Sequence, residues 1–210
     1  MIIKQFVLGD FSTNTWLVPF AEHEMLVIDP ADSAEKIIKF LQQNEITKIK
    51  IILTHGHFDH LVAVPDLYEA FPQSPVLIHK NDAHFLGKDA LKYHRRLFSY
   101  MGAGFLIDSY KKSLPEPTAL LKDGDTIGDW LVIHTPGHSE GSICLYNEKE
   151  KALIAGDTLF YCSIGRTDLW GSNPQDMHNS LIKLMRLPPE VKVYPGHGPT
   201  TTIANERRFH

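Results

Sequence analysis

The sequence predicts an α/β protein in which helices cover the outer faces of β-sheets. Two observations lead to this prediction. Short apolar runs typical of strands alternate with turn residues and amphipathic stretches, and strands followed by helices occur in both halves of the chain. The 210 residues suffice for one sizeable core. With no repeat or linker in the pattern, we expect a single domain over residues 1–210.

The first half is predicted to contain five strands and two helices. The first helix begins at an N-cap, Asp32 or Ser33, and runs to about Asn44. The second covers residues 61–70. The Ile-rich run at residues 49–53 has the composition of a buried strand. The predicted strands are at residues 2–7, 15–18, 25–28, 49–53 and 75–78.

The second half is predicted to return to strands after a less regular segment. Residues 80–120 have a helical but irregular pattern, with a break at residues 100–104. A helix is expected at residues 175–186, before the stop at Pro188 and Pro189. The predicted strands are at residues 131–134, 142–146, 152–154 and 191–194.

Composition narrows the class of partner. The net charge is −4, so the chain has no basic field that would favour nucleic acid. No apolar run approaches the length of a membrane span, and the N-terminus lacks a signal-peptide core. Cys144 and Cys162 do not form a C-x-x-C pair, which disfavours thiolate zinc sites and disulfide scaffolds. We therefore expect a cytoplasmic protein with a small-molecule substrate and no nucleic-acid or membrane partner.

The most informative motif follows the buried strand at residues 49–53. His55, His57, Asp59 and His60 place three imidazoles and a carboxylate within six residues. Such nitrogen and oxygen donors suit zinc, iron or manganese. Gly56 between them permits a tight turn and a close approach of the backbone to an ion. This segment alone predicts a metal site.

Three later strand ends each add one metal-ligand residue. His138 lies in a Thr-Pro-Gly-His segment, Asp157 follows the strand at residues 152–154, and His197 lies in a Pro-Gly-His turn. Each is a weak signal alone, because a single histidine or carboxylate is more often structural. Together with the first motif they predict a centre in which one carboxylate could bridge two cations.

The order H-x-H-x-D-H, T-P-G-H, G-D and P-G-H resembles the metallo-β-lactamase superfamily. The resemblance extends from Asp29 to His197 and implies a four-layer αββα sandwich with the site at one edge of its two sheets. It also implies that Asp29 supports the ligand loop from behind, as metal sites generally require. The implied ligands are His55, His57 and His138 for one metal, Asp59, His60 and His197 for the other, and Asp157 as the bridge.

A pair of metal ions that share one water molecule indicates that the reaction is a hydrolysis. They lower the pKa of that water, and the resulting hydroxide attacks a carbonyl whose developing charge the ions stabilise. Asp59 is the residue expected to orient the nucleophile, in addition to binding metal. We expect two divalent ions: zinc first, with iron or manganese as alternatives.

Among branches of the superfamily, the chain is most similar to compact glyoxalase II-like thioester hydrolases. The run Gly165-Arg166-Thr167-Asp168 carries part of this similarity, and Arg166 is a candidate contact for the substrate's carboxylate. Asp168 stands where the branch has an aromatic residue. The helical domain that binds glutathione in full glyoxalase II is not found after His197. Glutathione recognition is therefore an open question at this point.

Other functions of the superfamily are alternatives. A mononuclear-iron persulfide dioxygenase shares the Gly-Arg-Thr-Asp run, but the filled second metal set favours two ions. A lactonase and a non-catalytic metal-binding module are further alternatives. Class B β-lactamases commonly have cysteine at the position of Asp157, which disfavours that activity.

Overall fold

The first half of the chain builds a six-stranded sheet. The computed structural model describes residues 2–100 and 102–210. The strands are β1 (Lys4–Leu8), β2 (Thr13–Ala21), β3 (Glu24–Ile28), β4 (Lys48–Ile52), β5 (Val76–His79) and β6 (Ala119–Leu121). They lie side by side in chain order. The pairs β1·β2 and β2·β3 are antiparallel, whereas the pairs from β3 to β6 are parallel.

Helices cover the outer face of this first sheet. They are α1 (Ala34–Gln43), α2 (Val64–Ala70), α3 (Ala90–Tyr100) and α4 (Phe105–Ser109). Parallel neighbours need a crossover connection, and α1 and α2 provide it between β3, β4 and β5. Ile37 and Leu41 of α1 pack with Ile51 of β4 in the core that separates helices from sheet.

The second half builds a second six-stranded sheet with helices outside it. Its strands are β7 (Thr126–Ile127), β8 (Trp130–His134), β9 (Ile143–Asn147), β10 (Ala152–Gly156), β13 (Lys192–Pro195) and β14 (Thr201–Thr202). A separate hairpin, β11 (Leu159–Phe160) with β12 (Ser163–Ile164), follows β10. The helices are α5 (Pro174–Leu184) and α6 (Ile203–Glu206). The sheet order is β14-β13-β10-β9-β8-β7.

Three apolar clusters fill the spaces between four layers. The middle cluster joins the two sheets, with Trp16 and Ile28 from the first against Trp130 and Ile154 from the second. The outer clusters lie between the first sheet and its helices, and between the second sheet and α5. Side chains of a sheet alternate between its faces, so both faces of each sheet are buried. The predicted αββα sandwich is confirmed.

The predicted start of the second helix was wrong, whereas the predicted N-cap of the first is confirmed. The helix predicted from residue 61 begins only at Val64, because Phe58–His60 form a short 3-10 turn that carries two of the candidate ligands. Ser33 is the N-cap of α1 but makes no side-chain capping bond, since its backbone is left-handed with φ +48°. The neighbouring Asp32 carboxylate instead accepts from the Ser33 backbone N–H.

Other differences concern short or irregular segments. The short strands β6, β7, β11, β12 and β14 were not predicted; two to three residues are too few to show a hydrophobic period. The predicted break at residues 100–104 agrees with the end of α3 and the start of α4, except that Met101 lies outside the described residues. Within residues 2–100 and 102–210, no helix has the length and apolar character to cross a bilayer.

Candidate metal centre

The candidate ligands lie at strand ends along one shared edge of the two sheets. The His55–His60 segment follows β4 of the first sheet. From the second sheet come His138 in the loop between β8 and β9, Asp157 directly after β10, and His197 after β13. Distant parts of the sequence meet here because the C-terminal ends of these strands lie at the same edge.

The structure brings the seven predicted ligands into two groups joined by one carboxylate. In the first, ligand atoms of His55, His57 and His138 lie within 4.8 Å of one another. In the second, those of Asp59, His60 and His197 do the same.

Asp157 lies between these groups. Its Oδ2 is 3.5 Å from Nε2 of His138 and 3.5 Å from Nε2 of His197. Its Oδ1 is 3.4 Å from Nε2 of His60. One carboxylate therefore faces both groups, which is the position that a bridging ligand requires.

Asp29 lies behind the ligand loop, as the resemblance implied. Its ligand atom is also within 4.8 Å of those of His55 and His60. Its oxygens, however, already accept hydrogen bonds from the Thr54 backbone N–H at 2.7 Å and the Thr54 hydroxyl at 2.6 Å. Asp29 also lies 3.0 Å from Nδ1 of His60. These bonds fit a residue that supports the ligands better than one that binds an ion itself.

Hydrogen bonds to Nδ1 determine the tautomer of three candidate ligands. The Nδ1–H of His138 donates to the Arg166 carbonyl at 2.9 Å, and that of His197 donates to the Phe11 carbonyl at 3.2 Å. The Nδ1–H of His60 donates to Oδ2 of Asp29 at 3.0 Å. Because a carbonyl or carboxylate only accepts, the proton must sit on Nδ1. Nε2 of each ring therefore faces the centre, with its lone pair available whenever the ring is neutral.

His55 reaches the same state through Thr54. Its Nδ1 lies 3.1 Å from the Thr54 hydroxyl oxygen. The single hydroxyl proton of Thr54 is already donated to Asp29. The hydroxyl must then accept from His55 Nδ1–H, which leaves Nε2 of His55 with its lone pair free.

Unsatisfied buried atoms test whether the donor set fits a cation. Among the described residues, Nε2 of His55, His57 and His138 and Oδ1 of Asp157 are buried without a hydrogen-bond partner. Buried polar atoms are rarely left so, and a cluster of four calls for an explanation. All four are acceptors or possible acceptors at one point. The residues present therefore fit a divalent cation coordinated by imidazole and carboxylate.

Electrostatics separate the two groups. Burial, with neighbouring imidazoles adding to it, holds the pKa of His55 and of His57 well below the ordinary value. Burial also opposes charge on His60, but the carboxylates near it, Asp59 first, raise its pKa to about 9. Hydrogen bonds that His197 donates to Asp157 and Asp59 likewise outweigh burial and raise the pKa of His197 to about 10. The first group is thus neutral, and the second carries negative charge that requires a cation or protons.

Asp82, which no sequence pattern indicated, ties two ligand loops together. Its buried carboxylate accepts from the backbone N–H of Gly56 at 2.8 Å and of Gly141 at 2.7 Å, and from the Ser139 hydroxyl at 2.7 Å. The loops that carry His57 and His138 are therefore fixed to one side chain. Burial raises the pKa of Asp82, against these three hydrogen bonds.

Gly56 also has a packing role that the sequence did not predict. A Cβ at this position would strike the ring of Phe85, which packs directly over the loop. The glycine therefore makes room for Phe85. The sequence alone carried no signal of this contact, because the two residues are far apart in the chain.

Residues at the start of β2 were also missed, although they hold the His197 loop. The Asn14 side chain donates to the carbonyls of Pro195 and Gly198, each at 2.9 Å. The Trp16 indole donates to Pro195 at 3.0 Å. The Thr13 hydroxyl donates to Oδ2 of Asp59 at 3.0 Å, so the same strand also orients a carboxylate of the second group.

Arg166 lies at the rim of the centre with its side chain paired. Nε donates to Oδ1 of Asp168 at 2.7 Å and Nη2 to Oδ2 at 2.9 Å, a bidentate pair. Its backbone carbonyl meanwhile accepts from His138. The guanidinium is thus held in a salt bridge with Asp168 beside the site.

A cleft of about 420 Å³ opens over the candidate ligands. His57, Asp59, His138, Asp157 and His197 form its floor. Its walls are Phe11, Leu97, Phe98, Phe160, Ser163, Ile164, Arg166 and Leu169. Leu97 and Phe98 come from α3, so the irregular segment between residues 80 and 120 contributes to the wall of this cleft.

A four-layer sandwich with two His/Asp groups at the shared edge of its sheets defines a class of metal-site proteins. The chain belongs to the metallo-β-lactamase superfamily, whose family model matches residues 8–197. This membership supports the sequence prediction of a metal-dependent hydrolase in general.

Two curated relatives differ in how closely they match. The chain is 31% identical to the probable metallo-hydrolase YqgX of Bacillus subtilis, over 97% of this chain and 93% of that protein. It is 27% identical to a hydroxyacylglutathione hydrolase of Francisella philomiragia, over 94% of this chain but 68% of that protein. The second likeness is the more distant one and leaves part of the relative unmatched.

Two solved structures are similar over nearly their whole length. One is TTHA1623 in a di-iron-bound form, with a TM-score of 0.85 and 34% identity over 99% of this chain and 98% of that one. The other is the B3 metallo-β-lactamase BLEG-1, with a TM-score of 0.83 and 36% identity over 99% and 97%.

Proposed function

We propose that this protein is a hydrolase of thioesters that uses two divalent metal ions. The observation that carries the proposal is the placement of Asp157 between two groups of three ligand residues, on the floor of a cleft. Five imidazoles and two carboxylates at one point match the donor set of a two-metal site. Zinc is the ion we propose first; the di-iron form of TTHA1623 makes iron the alternative.

Bound divalent ions would supply an activated water and would polarise the carbonyl of the substrate. The chain's own residues provide the positioning. Asp59 is held by the Thr13 hydroxyl at 3.0 Å, with Oδ2 also 3.4 Å from Nε2 of His197. The pKa of Asp59 lies well below its ordinary value, because His60 and His197 outweigh the effect of burial. An ionised, fixed carboxylate can accept a hydrogen bond from the attacking water and orient it.

The cleft favours a small acyl substrate. Apolar side chains form most of its wall, and Arg166 places a guanidinium at its rim. We propose that Arg166 contacts a carboxylate of the substrate or of its thiol, with Asp168 as the group that the ligand displaces. The hydroxyacylglutathione hydrolase of Francisella philomiragia supports a thioester as the substrate class.

A second candidate function is β-lactam hydrolysis. Asp157 stands where class B β-lactamases commonly have cysteine, which disfavours this activity. The likeness to the B3 metallo-β-lactamase BLEG-1 at 36% identity nevertheless favours a direct test.

The deciding experiment measures metal content beside activity on four substrates. They are S-lactoylglutathione, a simple lactone, a chromogenic cephalosporin and glutathione persulfide with oxygen uptake as the readout. Two metal equivalents with thioester hydrolysis support the proposal. Faster cephalosporin turnover would establish the second candidate instead. One iron per chain with oxygen consumption would establish a persulfide dioxygenase, and bound metal without turnover would indicate a non-catalytic module.

A further inference from the structure

A second cavity lies directly behind the cleft. It measures about 270 Å³ and is named here the back pocket; its lining residues are Leu8, Gly9, Asp10, Phe11, Thr13, Ala31, Asp32, Phe58, Asp59, Val62, Phe98, Leu106, Ser109 and Tyr110. Phe11, Asp59 and Phe98 line both the back pocket and the cleft. The two spaces are therefore neighbours that share one wall, and that wall includes a candidate metal ligand.

The shared wall contains two aromatic rings that differ in solvent exposure and therefore in how easily they change rotamer. Phe98 of α3 is 2% exposed, whereas Phe11 is 50% exposed. Their rings meet edge to face with centroids 6.1 Å apart. An exposed side chain changes rotamer quickly, while a buried one is held by its neighbours. Phe11 is thus the movable part of the wall between the cleft and the back pocket.

The backbone that carries Phe11 is fixed to the metal centre. The Phe11 carbonyl accepts from Nδ1 of His197 at 3.2 Å, and Thr13 forms a β-bridge with His197. The turn before it depends on Gly9, whose φ of +70° is strained for other residues. The Phe11 ring can therefore move without displacing the ligand beside it.

The chemistry of the back pocket selects an uncharged, apolar occupant. Leu8, Phe58, Val62 and Leu106 give it apolar walls. Its charged lining residues are Asp10, Asp32 and Asp59, and none of the lining residues, all of them within the described ranges, is basic. An anionic tail would be repelled, whereas an alkyl chain gains from burial.

We propose that the back pocket takes the alkyl tail of an acyl thioester whose carbonyl lies at the metal centre. This inference rests on the proposed function and narrows its substrate class to thioesters of neutral, several-carbon acyl chains. About 270 Å³ is below the roughly 300–1,000 Å³ of pockets that enclose a drug-sized ligand. The space suits an acyl chain better than a peptide-sized thiol, which leaves the open cleft near Arg166 for the leaving group.

The test uses a series of thioesters of one small thiol, with acyl chains from acetyl to octanoyl, on the metal-loaded enzyme. Each buried methylene is expected to raise kcat/KM by up to about fourfold until the pocket is full. Leu106→Trp fills the back pocket from α4 and should remove this gain, so that kcat/KM no longer rises with chain length. Leu120→Trp, on the exposed edge strand β6, is the matched control and should keep the gain.

A second variant guards against misfolding of the first. Ser109→Phe places a ring in the pocket from an exposed position at its rim. It should likewise abolish the rise of kcat/KM with acyl chain length. Equal kcat/KM for all chain lengths in the wild type would overturn the inference while the proposed function stands. A gain that persists in both filled variants would also overturn it, because the chain would then lie elsewhere.

Failure of the proposed function is recognised separately. If no thioester of the series is hydrolysed, the pocket is tested by titration with octanamide, followed by NMR of the Leu106 methyl groups. Shifts in the wild type that are absent in Ser109→Phe would support an alkyl site independent of thioester chemistry. No shift in the wild type would overturn the site itself.

Discussion

The Asp82 carboxylate accepts a hydrogen bond from the backbone N–H of Gly56 at 2.8 Å, which fixes the loop between His55 and His57. The same carboxylate also binds the loop after His138. One side chain outside the ligand set therefore fixes the two loops that carry His55, His57 and His138 relative to each other. Groups behind metal ligands typically affect affinity by about 10–100-fold when removed.

Asp82→Asn is expected to lower metal affinity by about 10–100-fold. An amide nitrogen would face one of three donors that now point at carboxylate oxygens, so the two loops would separate. Competition with a chromogenic chelator measures the affinity. Asp89→Asn, in an exposed ion pair with Lys92, is the control and should leave it unchanged. Equal affinities in Asp82→Asn and the wild type would contradict the role assigned to Asp82.

Substitution of Asp157 should affect both ions, whereas substitution of His138 should affect mainly one. Asp157 faces both ligand groups, while His138 belongs to the first group alone. Metal content after dialysis against trace zinc distinguishes the two variants. We expect Asp157→Ala to lose normal occupancy of both sites and His138→Ala to retain about one ion. Unchanged metal content in Asp157→Ala would remove the bridging assignment.

Arg166→Ala is expected to raise KM for a carboxylate-bearing thioester about tenfold with little change in kcat. The guanidinium lies at the cleft rim rather than beside the reacting atoms, so it should contribute to binding alone. Lysine in its place should restore only part of the effect, because it lacks the bidentate geometry. A thioester without any carboxylate is the control substrate. A fall in kcat with unchanged KM would indicate instead that Arg166 stabilises the transition state.

Acid should destabilise the protein partly through His94. Burial lowers the pKa of His94 to about 4, below its ordinary value of about 6.5, although its bond to the Phe85 carbonyl opposes the shift. Between about pH 4 and pH 6.5, His94 is therefore protonated in the unfolded chain but neutral in the folded chain. The stability gained from neutral His94 is complete above about pH 6.5 and is lost as the pH falls toward 4, on the order of 1 kcal/mol per pH unit.

Urea unfolding of the metal-free protein from pH 7 to pH 4 measures this contribution. His94→Gln should reduce the pH dependence of the free energy of unfolding in that window. His178→Gln, exposed on α5, is the control and should follow the wild type. Parallel curves for His94→Gln and the wild type would show that the buried ring does not couple folding to pH.

The seven candidate ligands could be identified from sequence because each follows a strand and the motifs keep a recognisable order. The residues that hold them could not. Asn14 bonds to Pro195 across 181 positions, and Asp82 to Gly141 across 59. A single polar residue with no local pattern gives no signal of such a contact. The back pocket was equally hidden, since its walls come from the β1–β2 turn, the 3-10 turn and α4.

The central claim is that the chain holds two divalent ions in a site bridged by Asp157. Native mass spectrometry of the wild type during a zinc titration tests it most directly, with Asp157→Ala measured beside it. We predict that the wild type saturates at two ions per chain and that Asp157→Ala fails to reach two at the same zinc concentration. Saturation of the wild type at one ion per chain would rule out a two-ion site bridged by Asp157.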